Sequence, residues 1–81
     1  MEAHDITRRR TALGLTQSEL ADAVGVHRVT LLHWETGAAT PRGLSARQLA
    51  ATLDRLEREA AQRAARRARY AARTRQNDDT R

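Results

Sequence analysis

Arg28, Val29, Leu32, His33 and Thr36 recur at intervals of three and four residues, so on one helix they share a face. Their chemistry suits the edge of a base pair. A guanidinium such as that of Arg28 donates two parallel hydrogen bonds to O6 and N7 of a guanine, a contact worth about 1–3 kcal/mol of discrimination. Val29 offers an apolar surface to a thymine methyl, and His33 can donate or accept toward a base edge. His27 precedes this set, where it can reach a base, touch a phosphate or cap the helix. Each has a plainer reading: Arg28 on a phosphate, Val29 and Leu32 as ordinary exposed apolar residues. What turns the set into a candidate DNA-reading surface is the framework before it.

That framework is residues 17–36, QSELADAVGVHRVTLLHWET, which form one helix-turn-helix register. Two short helices meeting at about 90–120° need a small residue at their contact, and Ala21 supplies it. The turn between them needs a residue that tolerates positive φ, and Gly25 does so without the steric cost of a Cβ. Leu20, Val24, Val26, Leu31 and Trp34 fall on the inner faces of both helices. Trp34 is therefore expected in the core and not stacked on a base.

Flanking signals complete an all-α chain: a helix-turn-helix bundle of short N-terminal helices followed by one long C-terminal Arg/Ala-rich helix. A first helix is expected over 5–13, with Ile6 and Leu13 turned inward, Arg10 on the same side, and Gly14 as its stop. Thr16 then caps the second helix, and Glu19 three residues later completes a capping box. The third helix spans 27–36 and ends at Gly37, before a loop at 38–43 that contains Pro41. Ser45 and Gln48 repeat the capping-box spacing, and Leu44 and Leu49 that of a hydrophobic staple, which predicts a last helix starting near Ala46. Neither Gly nor Pro follows before Asn77, so this helix should run for about 30 residues. Leu49, Leu53 and Leu56 give its first half a stripe to bury, and Asp54 with Arg58, Arg55 with Glu59 and Glu59 with Arg63 have the spacing of supporting ion pairs. The expected division is a DNA-binding domain at 5–57, a basic helical arm at 58–76 and a disordered tail at 77–81.

Composition narrows the function classes. A chain of 81 residues with two aromatic residues, Trp34 and Tyr70, builds a thin core that a partner subunit would supplement. It has no cysteine, hence neither disulfides nor a cysteine-based zinc site. His27 and His33, six apart without acidic companions, do not form a metal site, so no metal or cofactor is expected. No nucleophile, base and orienting group occur together and no glycine-rich phosphate loop is present, which argues against an enzyme. The N-terminus lacks a signal-peptide stretch and no segment approaches a membrane span, so the expectation is a cytoplasmic protein of a bacterium or phage-infected cell, at the nucleoid.

The charge of +5 is unevenly spread. Residues 1–43 balance five arginines against five acids, whereas 58–75 hold seven arginines against Glu59 alone. Thr40, Arg42, Arg8 and Arg9 have the chemistry of phosphate contacts, which position a protein on DNA without specifying sequence. The arm can serve DNA, RNA, an acidic protein or solvent alone.

Residues 5–44 resemble the Cro/repressor-type (XRE-like) helix-turn-helix domain of phage repressors and bacterial regulators. The shared features are Gly14-Leu15-Thr16-Gln17, Glu19-Leu20-Ala21, Val24-Gly25-Val26, and Trp34-Glu35-Thr36-Gly37 followed by a proline. The resemblance implies that Gln17, beside Thr16 at the start of the second helix, binds a DNA phosphate. There the helix dipole also favours an anion. It implies as well a structural salt bridge between Arg10 and Glu35, beside phosphate contact by Arg10. The resemblance fades after Leu44, where the family places further short helices that contribute dimer contacts. The reading is a regulator of transcription, an autorepressor binding a palindromic operator in double-stranded DNA as a homodimer. The alternative is an antitoxin or adaptor that grips a protein partner encoded nearby through its Arg-rich helix.

Overall fold

The computed structural model describes residues 1–79, with side chains through residue 74. Four helices follow one another without a strand among the described residues: α1 (Ala3–Ala12), α2 (Gln17–Val24), α3 (Arg28–Thr36) and α4 (Gly43–Asp79).

The local signals account for most boundaries. α1 starts two residues before Asp5, because the Glu2 carbonyl accepts the Asp5 and Ile6 N–H groups at 3.1 and 3.4 Å. Asp5, inside the first turn, accepts instead from Arg8 at 3.3 Å. At α2 the capping box is complete: Thr16 Oγ1 accepts the Glu19 N–H at 3.1 Å, and Glu19 Oε1 accepts the Thr16 N–H at 2.9 Å. That backbone bond also holds the Glu19 carboxyl below its ordinary pKa. α2 closes at Gly25 with φ 92°, where the Ala21 carbonyl accepts both the Gly25 and Val26 N–H groups, at 2.9 and 3.0 Å. His27 is the N-cap of α3 through its backbone alone, with no side-chain cap bond, and Gly37 is the C-cap.

α4 corrects the expected start at Ala46. It begins at Gly43, and the Arg42 carbonyl accepts the Ala46 N–H at 3.5 Å. Ser45 and Gln48 thus lie inside the helix, and Ser45 makes no capping bond. Leu44 and Leu49, five residues apart, fall about 140° apart around the helix, so no staple forms. Leu49 is buried while Leu44 is 68% exposed. At the other end the helix takes in residues 77–79 of the expected tail; residues 80 and 81 lie outside the described residues.

α3 packs on α1 and α2, and α4 packs on α2. The shared core holds Ile6 from α1, Leu20, Ala21 and Val24 from α2, Leu31 and Trp34 from α3, and Leu49 and Leu53 from α4. Leu13, Leu15, Val26 and Leu56 close its edges, and among the described residues no buried side-chain polar atom lacks a partner. Of the ion pairs expected along α4, Arg55 with Glu59 forms, at 3.5 Å. Asp54 turns away from Arg58 to meet Arg9 of α1 at 2.9 Å, because Arg9 stands beside it as the centre of a larger cluster. From residue 61 to 74 every side chain is exposed, and α4 carries the chain out to a longest dimension of 60 Å against 19 Å across.

Candidate nucleic-acid interface

The two halves of α3 divide as the spacing requires. Leu31 and Trp34 are 0% and 5% exposed and seat the helix on α1 and α2. On the opposite arc, Arg28, Val29, His33 and Thr36 are exposed and Leu32 is half-buried beside them. Val29, at 50% exposure, is an apolar side chain held in water without a partner in the described fold. Thr36 donates its hydroxyl to the His33 backbone carbonyl at 3.3 Å, and the His33 side chain is exposed. His27, also exposed, precedes the helix as its N-cap. A helix is about 10–12 Å across with its side chains and a major groove about 12 Å wide, so this arc has the dimensions to enter one.

The angle of α3 is held by an ion pair beneath it. Arg10 of α1 meets Glu35 of α3 through Nε to Oε2 at 2.6 Å and NH2 to Oε1 at 3.1 Å, and its third bond goes from NH1 to the Leu15 carbonyl at 2.8 Å. Both side chains are shielded, at 14% and 4% exposure. Burial pushes the Glu35 carboxyl up, but the bonds from Arg10 and Gln17 outweigh it and hold the group below its ordinary value. The Gln17 amide reaches the same Oε1 at 3.2 Å. One N–H of that amide is thereby oriented, and the second has no side-chain partner among the described residues.

Arg9 and Arg10, both expected at phosphates, have carboxylate partners inside the chain. Arg9 donates to Glu57 from Nε and NH2 at 2.8 and 2.6 Å and to Asp54 at 2.9 Å, and it is 19% exposed. The Glu57 bond is the main cause that raises the Arg9 pKa and lowers that of Glu57. This clasp of α1 to α4 was not anticipated; its partners lie 45 and 48 residues apart, beyond any local pattern. Arg8, Thr40 and Arg42 are exposed, Arg8 pairing with Asp5. Among the described residues no group of histidines and acids is placed to hold a metal, and no helix is long and apolar enough to cross a membrane.

The helix-turn-helix family profile matches residues 6–59, which takes in the core, the Arg10–Glu35 pair and the clasp. An uncharacterized HTH-type transcriptional regulator of Methanothermobacter thermautotrophicus is 44% identical over 50 residues, covering 62% of this chain and 72% of that protein. No solved structure matches the chain. With two thirds of its length in the profile and the capped α2, glycine turn and outward α3 in place, the chain belongs to the XRE-like helix-turn-helix family of DNA-binding transcriptional regulators.

Proposed function

We propose that the protein is an autorepressor that binds a palindromic operator in double-stranded DNA as a homodimer. The observation that supports this reading most is the outward arc of α3, with Arg28, Val29, Leu32 and His33 free of intramolecular side-chain bonds while the opposite arc is locked in the core. Arg28 reads a guanine, Val29 a thymine methyl, and His33 and His27 neighbouring base edges. Thr16, Gln17, Thr40 and Arg42 meet phosphates on either side, while Arg9 and Arg10 act through the carboxylates they hold. In a two-fold dimer the α3 helices enter successive major grooves about 34 Å apart. The protein works in the cytoplasm, at the nucleoid, and performs no chemistry on its ligand.

The test is fluorescence anisotropy on DNA from upstream of the protein's own gene, against a scrambled duplex, at about 0.15 M salt, where non-specific binding is weak. Tighter binding to the upstream DNA by about a thousandfold or more is expected. Equal binding to both overturns autoregulation, and a footprint with one asymmetric contact overturns the dimer.

A further inference from the structure

From residue 61 to 74 the long helix exposes every side chain, yet those side chains are sorted. At about 100° per residue, Arg58, Arg63, Arg66, Arg67, Arg69 and Arg73 all fall within one half of the circumference, and the seven alanines between residues 60 and 72 fall in the other. Within the arginine half stands Tyr70, 74% exposed, flanked by Arg63, Arg66 and Arg67 in one hollow and by Arg66, Arg69 and Arg73 in the other. Among the described residues these five arginines have no carboxylate partner; the ion pairs of α4 stop at Glu59. Arg63 with Arg67 and Arg69 with Arg73 are like charges at i,i+4, which weaken a helix instead of supporting it.

We infer that the arginine face of α4, centred on Tyr70, is a second DNA-binding element that lies along the phosphates of the duplex beside the site held by α3. The inference rests on the reading of the chain as a DNA-binding protein and adds a surface the helix-turn-helix does not contain. Charge complementarity selects the occupant: a polyanion relieves the repulsion among the arginines, whereas a second copy of the arm would double it. An acidic protein could pair with the same guanidiniums, but duplex phosphates recur at a regular spacing along the strand and so match a row of arginines on one helix face. A phosphate backbone uses them all, with guanidiniums on the phosphate oxygens and the Tyr70 hydroxyl as a further donor. From Arg58 to Arg73 the face is about 23 Å long, which spans several phosphates along one groove wall.

The experiment compares the full chain with a variant carrying Arg63→Gln, Arg66→Gln, Arg67→Gln, Arg69→Gln and Arg73→Gln, on a random-sequence duplex of about 40 base pairs, between about 50 and 200 mM salt. These side chains touch no core residue, so unchanged helix content and melting confirm the variant's fold. If the arm covers three phosphates, the slope of log affinity against log salt flattens by about 2.7, and the affinity lost across that range shrinks roughly fortyfold. An unchanged slope overturns the inference. So does equal weakening by Ala64→Gln with Ala68→Gln, which would mark the alanine half as the contact. Tighter arm-dependent binding to an RNA hairpin or to polyglutamate than to the duplex assigns the face to another partner and also overturns it. If the unaltered chain binds no duplex even at low salt, the DNA reading falls first. Duplex binding that the five glutamines leave intact removes the arm alone.

Discussion

Arg10 of α1 and Glu35 of α3 face each other through two hydrogen bonds, 2.6 and 3.1 Å long, with the carboxylate side chain only 4% exposed. The helix that presents Arg28 and His33 is therefore anchored at its far end by a shielded ion pair. Removing one member strands the other, which costs roughly 3–5 kcal/mol. In a domain whose total stability is about 5–15 kcal/mol, Arg10→Ala should unfold a large share of the chain near room temperature, or lower the urea midpoint steeply. A loss below about 1 kcal/mol would mean that water replaces the bond.

The clasp is expected to be weaker. Glu57 and Asp54 are 40% and 59% exposed, so solvent screens their attraction to Arg9, and Arg9→Gln should cost about 1 kcal/mol or less. The same urea titration ranks the two variants, and a larger loss for Arg9→Gln than for Arg10→Ala would contradict the burial argument.

Acid should undo both pairs. The Glu35 and Glu57 carboxyls are held below their ordinary value of 4.5. A depressed carboxylate contributes its full stabilisation above its unfolded pKa and loses it as pH falls through the folded value. The urea midpoint should thus stay level down to about pH 5 and drop below pH 4.5. In Glu35→Gln that drop should be smaller, starting from a lower plateau; an unchanged drop would place the acid sensitivity elsewhere.

Arg28→Ala separates base reading from phosphate contact. A base contact makes the loss about 1–3 kcal/mol on the operator and relaxes preference at one base pair, with little change on random DNA. A phosphate contact weakens both duplexes alike and flattens the salt slope by about 0.9. Stability should move by less than about 0.5 kcal/mol, because Arg28 is exposed and makes no side-chain bond.

Gly25→Ala tests the turn. A Cβ there meets nothing within 4 Å, so any cost comes from the backbone at φ 92° and not from a clash. About 1–2 kcal/mol is expected, lowering the melting temperature by roughly 4–8 °C per kcal/mol. An unaffected melting temperature would show that the turn relaxes.

What was legible in the residues depended on how far apart the partners lie. Thr16 and Glu19 are three apart and their capping box formed as the spacing implies. Ser45 and Gln48 have the same spacing and did not, because the Arg42 carbonyl starts the helix earlier and carries both into its interior. The pattern states what a pair can do, and the chain before it decides whether it does. The inward positions of Leu20, Leu31 and Trp34 followed from periodicity, and the Arg10–Glu35 bridge from family resemblance. The bond between Arg9 and Glu57 had neither route, since nothing local singles out Glu57 from the other acids of α4 until the two helices are side by side.

Because α4 runs from Gly43 to Asp79 without a break, its seat in the core and its outer half belong to one continuous helix. Leu49 and Leu53 act as the fulcrum, and the clasp at Glu57 as the stop that sets its bearing. A tilt of about 10° at that fulcrum would swing a 30 Å length of helix by about 5 Å at its tip, close to the rise of one helical turn. Small repacking around Leu53 is thereby magnified along the rod, so the aim of the distal arginines is set by the same leucines that hold the domain closed.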